Sequence, residues 1–259
     1  MTNTDKIQLT IDADGIAILT FNRPDALNAL DLAAMAAFAA QVAALVANDR
    51  VRVVIVTGAG KSAFCSGGDL YELSQLTTEE QARDFITLMG DALFKLEHLP
   101  VPVIAAINGY ALGGGSEIAL ACDMRYADEK VRMGFVQIRL ALTPGWGAGQ
   151  RLMRVVGYAK AMDLLLHGHV MRAKELQALG LANKIVDEGI ALDHALYFAR
   201  HIVQHPPDAV RGVKALLRAG REQPYIEALQ TERDIFPPLW AAKPHLDAVE
   251  DFLKRKGQS

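Results

Sequence analysis

The stretch NGYALGGGSEIALACD (108–123) follows the apolar run PVIAAI (102–107) and sets Gly113, Gly114 and Gly115 in front of a glutamate and a second apolar run. A buried-type strand, a glycine turn and a short helix are written in succession. Glycines that merely connect two elements cost chain entropy. At the start of a helix they expose backbone N–H groups, and the helix dipole adds partial positive charge there. Glu117 stands just inside this helix, one charge among residues suited to burial.

The pattern has an upstream counterpart. VRVVIVTG (51–58) is a buried-type strand, and AFCSGGDL (63–70) brings a second glycine turn before a short helix. If the two strands are neighbours, N–H groups from both turns converge on one oxygen, the geometry of an oxyanion hole. One such donor contributes ~3–4 kcal/mol of transition-state stabilisation. Two ordinary tight turns are the other reading. Glu117 also has two readings: a carboxylate that offsets exposed N–H groups, or a general acid/base whose pKa is raised by apolar surroundings.

Outward from these turns, strand-like and helix-like segments alternate. GIAILTF (15–21) is β-compatible, and Asp31 offers an N-cap to LAAMAAFAAQVAALV (32–46). Thr77 and Glu80 have capping-box spacing and open a helix to about His98, stopped by Pro100 and Pro102. MRYAD (124–128) and VRMGF (131–135) read as short strands. This order predicts an α/β core with helices outside sheets. After about Leu140 the segments are helix-like and broken by Gly and Pro, with only ANKIVD (182–187) extended; from about residue 200 a mostly helical region runs to the end. Helices too short to bury their apolar faces alone point to oligomer contacts.

The 259 residues are 51% hydrophobic and 22% charged, an ordinary globular composition. A net charge of −3 and a pI near 6.2 argue against general nucleic-acid or anionic-membrane binding. The two cysteines, Cys65 and Cys122, have no metal-like spacing and suit a reducing compartment. With no signal-peptide pattern at the start and no apolar run of membrane-span length, a soluble cytoplasmic protein is expected.

Several motifs fail on inspection. GKS (60–62) lacks the first phosphate-loop glycine, because Ile55 stands there. GGSEI has Ile118 where a nucleophile elbow needs glycine. His167 and His169, two apart on a helical stretch, would point apart and read as surface residues. Cys65 reads as a small buried residue rather than an activated thiol.

FNRPDALNAL (21–30), AFCSGGDL (63–70), NGYALGGGSEIALACD (108–123) and LTPGWGAGQRL (142–152) together resemble the enoyl-CoA hydratase/isomerase, or crotonase, superfamily in order and spacing. LWAAKPHLDAVEDFLKRK (239–256) is similar to that family's C-terminal helix, so the resemblance covers nearly the whole chain. It implies a crotonase-like spiral of ββα units over residues 1–200 and a helical trimerisation region over 201–259, with homotrimers commonly paired into hexamers. It implies an acyl-CoA thioester substrate whose carbonyl accepts from the N–H groups of Gly68 and Gly114, with no metal and no cofactor beyond the coenzyme A moiety. Arg23, Ala26, Leu27, Ala63 and Cys65 fall in the CoA-binding loops. Phe252 and Arg255 match residues that reach a neighbouring subunit's CoA.

Two departures matter. Asp25 stands where many relatives carry lysine, which removes a cation beside the CoA phosphates or shifts that task onto Arg23. Glu117 matches the first catalytic glutamate of the family's hydratases, but Gln137 occupies the position of the second. An amide orients water and does not exchange a proton near neutral pH; general acid–base catalysis is typically worth ~10²–10⁴-fold. Three readings follow. One is a hydratase or isomerase in which Glu117 works alone. Another is a decarboxylase of a methyl- or ethylmalonyl-type CoA ester. There FVQIRLALTPGWG (135–147) resembles the ethylmalonyl-CoA decarboxylases, and Arg139, on the same strand face as Gln137, is either a substrate-carboxylate partner or a surface residue. Trp146 lines the acyl pocket or packs in the core. The third, a non-catalytic RNA-binding homologue, is opposed by the acidic pI and the lack of a dense Lys/Arg run. The sequence favours the first.

Overall fold

In the computed structural model, which describes residues 3–256, two sheets are built by one repeating step. Strands β1 (Ile7–Ile11), β2 (Ile16–Phe21), β3 (Val53–Gly58), β5 (Val103–Ile107), β7 (Met124–Asp128) and β10 (Lys184–Val186) lie side by side in that order. A second sheet orders β4 (Ala63–Cys65), β6 (Tyr110–Leu112), β8 (Arg132–Gly134) and β9 (Met171–Arg172). The pairs β3–β4, β5–β6 and β7–β8 each leave one strand in each sheet before a helical excursion. This is the expected spiral of ββα units.

The apolar runs of β3 and β5 are buried at every residue, as strands covered on both faces require. Alternate side chains serve different cores. Val54 and Val56 join Val103, Ala105 and Ile107 against α2 (Leu32–Val46) and α4 (Glu79–Glu97). Val53 and Ile55 join Ile104 and Ala106 under Ala191, Ala195 and Ala199 of α9 (Ala191–Ile202). β3 and β5 pair directly in parallel, Val54 opposite Val103, so the turns that follow them are neighbours.

The shorter helices are α1 (Asn3–Lys6), α3 (Leu70–Leu73), α5 (Gly114–Ala121), α6 (Ala148–Val156), α7 (Tyr158–His167) and α8 (Ala173–Ala178). Three helices close the chain: α10 (Pro207–Glu222), α11 (Tyr225–Trp240) and α12 (Lys243–Lys256). The division near residue 200 falls inside the last turn of α9, and Pro206 opens the next helix.

Asp31 caps α2 as expected, accepting from the Ala34 N–H at 2.7 Å. The cap of α4 lies one residue later than the Thr77 and Glu80 reading: Thr78 and Gln81 form the reciprocal box, and Gln81 also accepts from the Thr77 N–H. The segment holding Gln137 and Arg139 is a 3-10 turn over Val136–Leu140, not a strand. The two side chains therefore do not share a face. Arg139 is exposed, with its stem beside Gly168. Gly168, at φ +56°, ends α7 and takes His169 off the helix, so the His167 and His169 rings come within 6.4 Å rather than pointing apart. Both remain exposed, as surface residues.

Candidate active site

The glycines of the central turn have distinct tasks. Gly113 takes φ +52°, a backbone form L side chains rarely adopt, and ends the preceding strand without a side-chain cap on α5. A Cβ on Gly114 would lie 2.1 Å from Trp146 Cζ3, and one on Gly115 would lie 1.9 Å from the Cys65 carbonyl oxygen. The upstream turn closes from the other side: a Cβ on Gly67 would sit 3.1 Å from the Gly114 nitrogen. The two glycine turns are thus in van der Waals contact.

Their N–H groups are available for different reasons. Gly114 is the first residue of α5, and the first N–H groups of a helix have no partner within it. Gly68 pairs with Leu30 in a parallel bridge that uses the Gly67 carbonyl and the Asp69 N–H, each at 2.8 Å. In a parallel ladder the intervening Gly68 N–H points away from Leu30.

Glu117 lies one turn into α5 and is 2% exposed. Its Oε1 accepts from Gln137 Nε2 at 2.9 Å and from the Gly145 N–H at 3.3 Å. Its Oε2 accepts from the N–H groups of Trp146 at 2.7 Å and Ala148 at 3.1 Å. Burial raises its pKa above the ordinary carboxyl range, and these four donors oppose the rise. Gln137 is half-buried, and its Oε1, shielded from solvent, meets no donor among the described residues. Glu117, Gln137, Gly114 and Gly67–Gly68 therefore form one continuous wall, and Trp146 packs its ring on Gly114 with 5% exposure. Leu73 beside Gly68 and Ile86 beside Gly145 bring α3 and α4 against the same wall.

The 23–28 turn adjoins this wall through Ser66, whose N–H donates to the Leu27 carbonyl at 3.1 Å. Leu27 and Asn28 both take positive φ, 51° and 56°, and the buried Asn28 amide holds the turn by donating to the carbonyls of Ala59 and Ala63. Ala26 is half-buried and Leu27 exposed. Arg23 has a different setting from the one expected of a phosphate ligand. Its guanidinium reaches Asp69 at 3.0 Å, Asp31 at 3.3 Å and the Ala29 carbonyl at 2.7 Å, so its charge is already balanced. Ala63 and Cys65 are buried, leaving only backbone groups for a ligand, and burial pushes the Cys65 thiol up to about 12. Phe252 is 58% exposed on α12, with Lys256 Nζ 5.5 Å from its ring centre; Arg255 is on the same exposed helix. The single chain does not bring this face to Glu117.

Sequence reasoning missed the 145–148 loop as the holder of Glu117. Its signal was GWG (145–147), glycines flanking an aromatic just before a helix. Ser116, rejected as a nucleophile on its motif, is fully buried: its hydroxyl shares its one proton between the Ala111 and Gly134 carbonyls, at 2.6 and 2.9 Å, and accepts from the Gly134 N–H. A cavity of about 530 Å³ lies on another side of α6, between α10 and the spiral, lined by Arg125, Val155, Phe198 and Leu217 among others. Glu117 does not reach it.

Residues 12–257 match the family model described as enoyl-CoA hydratase/isomerase. The chain is 36% identical over 241 residues to the short-chain-enoyl-CoA hydratase of Clostridium acetobutylicum, covering 93% of this chain and 92% of that protein. It is 34% identical over 246 residues to the ethylmalonyl-CoA decarboxylase of Rattus norvegicus, covering 94% and 82%. The crystal structure of an enoyl-CoA hydratase from Bacillus anthracis superposes with a TM-score of 0.91 at 34% identity, covering 96% of both chains.

Proposed function

Because the chain belongs to the enoyl-CoA hydratase/isomerase family, we propose that its N–H groups at Gly68 and Gly114 hold an acyl-CoA thioester oxygen while enolate charge develops on it, and that Glu117 handles the proton in a hydration or isomerisation. The contact between the two glycine turns, with a buried carboxylate one helical turn away, carries this reading. Donors fixed before the reaction stabilise the developing oxyanion without reorganising. In hydration, Glu117 takes a proton from water as its oxygen bonds Cβ, and returns that proton to Cα. Gln137 anchors Glu117 through Nε2 and keeps Oε1 as an acceptor for the water; an unmet buried acceptor costs ~1–3 kcal/mol.

One observation favours a second reading. The carboxylate of Glu117 already accepts four hydrogen bonds, about the capacity of its lone pairs, so taking a proton requires releasing a donor. The Gly145 bond, at 3.3 Å, is the weakest of the four. Decarboxylation of a malonyl-type CoA ester reaches the same enolate by losing CO₂ and needs no base to begin. The ethylmalonyl-CoA decarboxylase relative supports keeping this route beside the first.

CoA is placed by the same proposal along Ala26, Leu27 and the backbone at Ala63 and Cys65, with Arg23 ordering the turn. Phe252 and Arg255 would come from another copy in a homotrimer or a pair of trimers. A cytoplasmic location fits the two buried free cysteines.

The deciding experiment assays crotonyl-CoA, methylmalonyl-CoA and ethylmalonyl-CoA with the native protein, Glu117→Gln and Gln137→Glu. Native hydration of crotonyl-CoA that falls at least about tenfold in Glu117→Gln, with CoA affinity kept, supports the first reading. Hydration seen only in Gln137→Glu, with native CO₂ release from a malonyl ester, replaces it with the second. Native turnover unchanged in Glu117→Gln removes Glu117 from the mechanism.

A further inference from the structure

The loop that holds Glu117 is itself held from below. Arg151, in the first turn of α6, donates from Nη1 to the Trp146 carbonyl at 2.7 Å and from Nε to Glu97 Oε2 at 2.9 Å. A Cβ on Gly147 would fall 2.7 Å from Arg151 Nη1, so glycine at that position lets the guanidinium close on the loop. Trp146 is gripped at both ends: its N–H goes to Glu117 and its carbonyl receives Arg151. The other oxygen of Glu97 accepts from Arg221 Nη2 of α10 at 2.5 Å. Both Arg151 and Glu97 keep less than a tenth of their side-chain surface exposed.

Burying two opposite charges costs several kcal/mol in desolvation, which their attraction offsets only in good geometry. An apolar pair would fill the same space at no such cost. What a guanidinium adds is a rigid fork that addresses two acceptors at a set angle, and no other side chain supplies that. Here one prong takes a carboxylate and the other takes a backbone carbonyl in the loop facing Glu117.

We infer that Arg151 is a positioning residue for Glu117: it fixes the Trp146–Ala148 backbone whose N–H groups hold the carboxylate, and Glu97 and Arg221 fix Arg151 in turn. The inference rests on the proposed role of Glu117 in proton transfer. Loosening the loop weakens the Trp146 and Ala148 donors, which lower the pKa of Glu117 against the effect of burial. The carboxyl then titrates at a higher pH, and the acid limb of kcat moves up with it. Arg151, Glu97 and Arg221 share no hydrogen bond or ion pair with the 23–28 turn, where CoA is proposed to bind, so KM stays put.

The test uses full-length Arg151→Lys, Arg151→Met and Arg221→Gln. Carbon-13 NMR follows the Glu117 carboxyl, identified by its loss in Glu117→Gln, and kcat and KM are measured on whichever substrate the acyl-CoA panel identifies. Arg151→Lys keeps the charge but loses the fork, so a change in this variant reports geometry. Its Glu117 midpoint rises and kcat falls about ten- to hundredfold, with KM within about twofold. Arg221→Gln, at the outer end of the chain of contacts, moves both readouts the same way by less. Folded Arg151→Lys and Arg221→Gln with unchanged midpoint overturn the inference. Should no acyl-CoA turn over, the acyl-CoA reading fails, while the NMR midpoint still decides whether Arg151 positions Glu117. Arg221→Gln carries the test if Arg151→Met does not fold.

Discussion

Every residue of β3 and β5 is buried, whereas α12 buries none of its 14. In the spiral, alternate side chains of one strand feed two cores, and the apolar pattern is used up within the chain. In α10 to α12 the pattern is amphipathic, yet Leu217, Phe236, Trp240, Leu246, Phe252 and Leu253 each remain more than half exposed. The cavity between α10 and the spiral belongs to the same picture of a loosely seated last region. The spiral folds toward itself, and the helices present a surface suited to something outside the chain. Single large apolar residues on a surface need no explanation, but a cluster on three successive helices does.

Glycine gives the sharpest way to break this contrast. Gly115 lies against backbone, with the Cys65 carbonyl where its Cβ would be, so Gly115→Ala has no flexible neighbour to displace. It should destabilise by at least about 3 kcal/mol, the upper range of overpacking, read as a large fall in the denaturation midpoint or failure to fold. Gly220, inside α10, has nothing within 4 Å of its Cβ position. Gly220→Ala should stabilise by about 0.5–1 kcal/mol through helix propensity and a less free unfolded chain. Opposite expectations for the same Gly→Ala change test the packing difference directly. A destabilising Gly220→Ala would show that another copy packs closely there.

A smaller effect on folding, with a larger one on assembly, is expected from Leu217→Asp combined with Leu246→Asp. Both side chains lie outside the two cores, so circular dichroism should stay native. Sedimentation velocity at micromolar concentration should shift from a trimer or hexamer to a single chain. A native protein that sediments as a single chain would refute the assembly, and a variant that stays assembled would move the interface off this face.

The fold was legible because it rests on repeated local patterns. The runs at 53–57 and 103–107 are each followed by a glycine turn, and the condition placed on them, that the two strands be neighbours, is met by their direct parallel pairing. VRMGF (131–135) holds β8 as expected, while the two- and three-residue strands β4, β6 and β9 offer too few positions for a period to show. α11 continues through Pro237 and Pro238 in its last turn, although neither can donate to the carbonyl four residues back. In the site, the relation of Glu117 to Gln137 was implied by the family resemblance, and the two meet at 2.9 Å. The support of that pair was not. Arg151 finds Glu97 and Arg221 finds the same carboxylate across 54 and 124 positions of sequence, distances over which neither period nor motif speaks.

The least effect is expected at the 23–28 turn, where CoA is proposed to bind, and it separates the two roles considered for Arg23. With its guanidinium bound to Asp31 and Asp69, Arg23 has little charge to lend a phosphate. Burial acts to raise the Asp31 carboxyl, but Lys6, the Ala34 N–H and Arg23 outweigh it and hold the group below its ordinary range. That arrangement favours keeping Arg23 where it is. Asp25, exposed on the 3-10 turn over Pro24–Ala26, then puts a negative charge on the 23–28 turn with no free cation in it to meet a phosphate. Asp25→Lys should tighten CoA by about two- to fivefold at low ionic strength, the size of an exposed charge interaction. The gain should fade as salt shortens the screening length toward ~8 Å at physiological strength. Calorimetric titration of CoA at two salt concentrations measures both. Affinity unchanged at low salt would place the phosphates away from this turn, and a gain that survives high salt would mean that the new lysine reorders the loop rather than supplying charge.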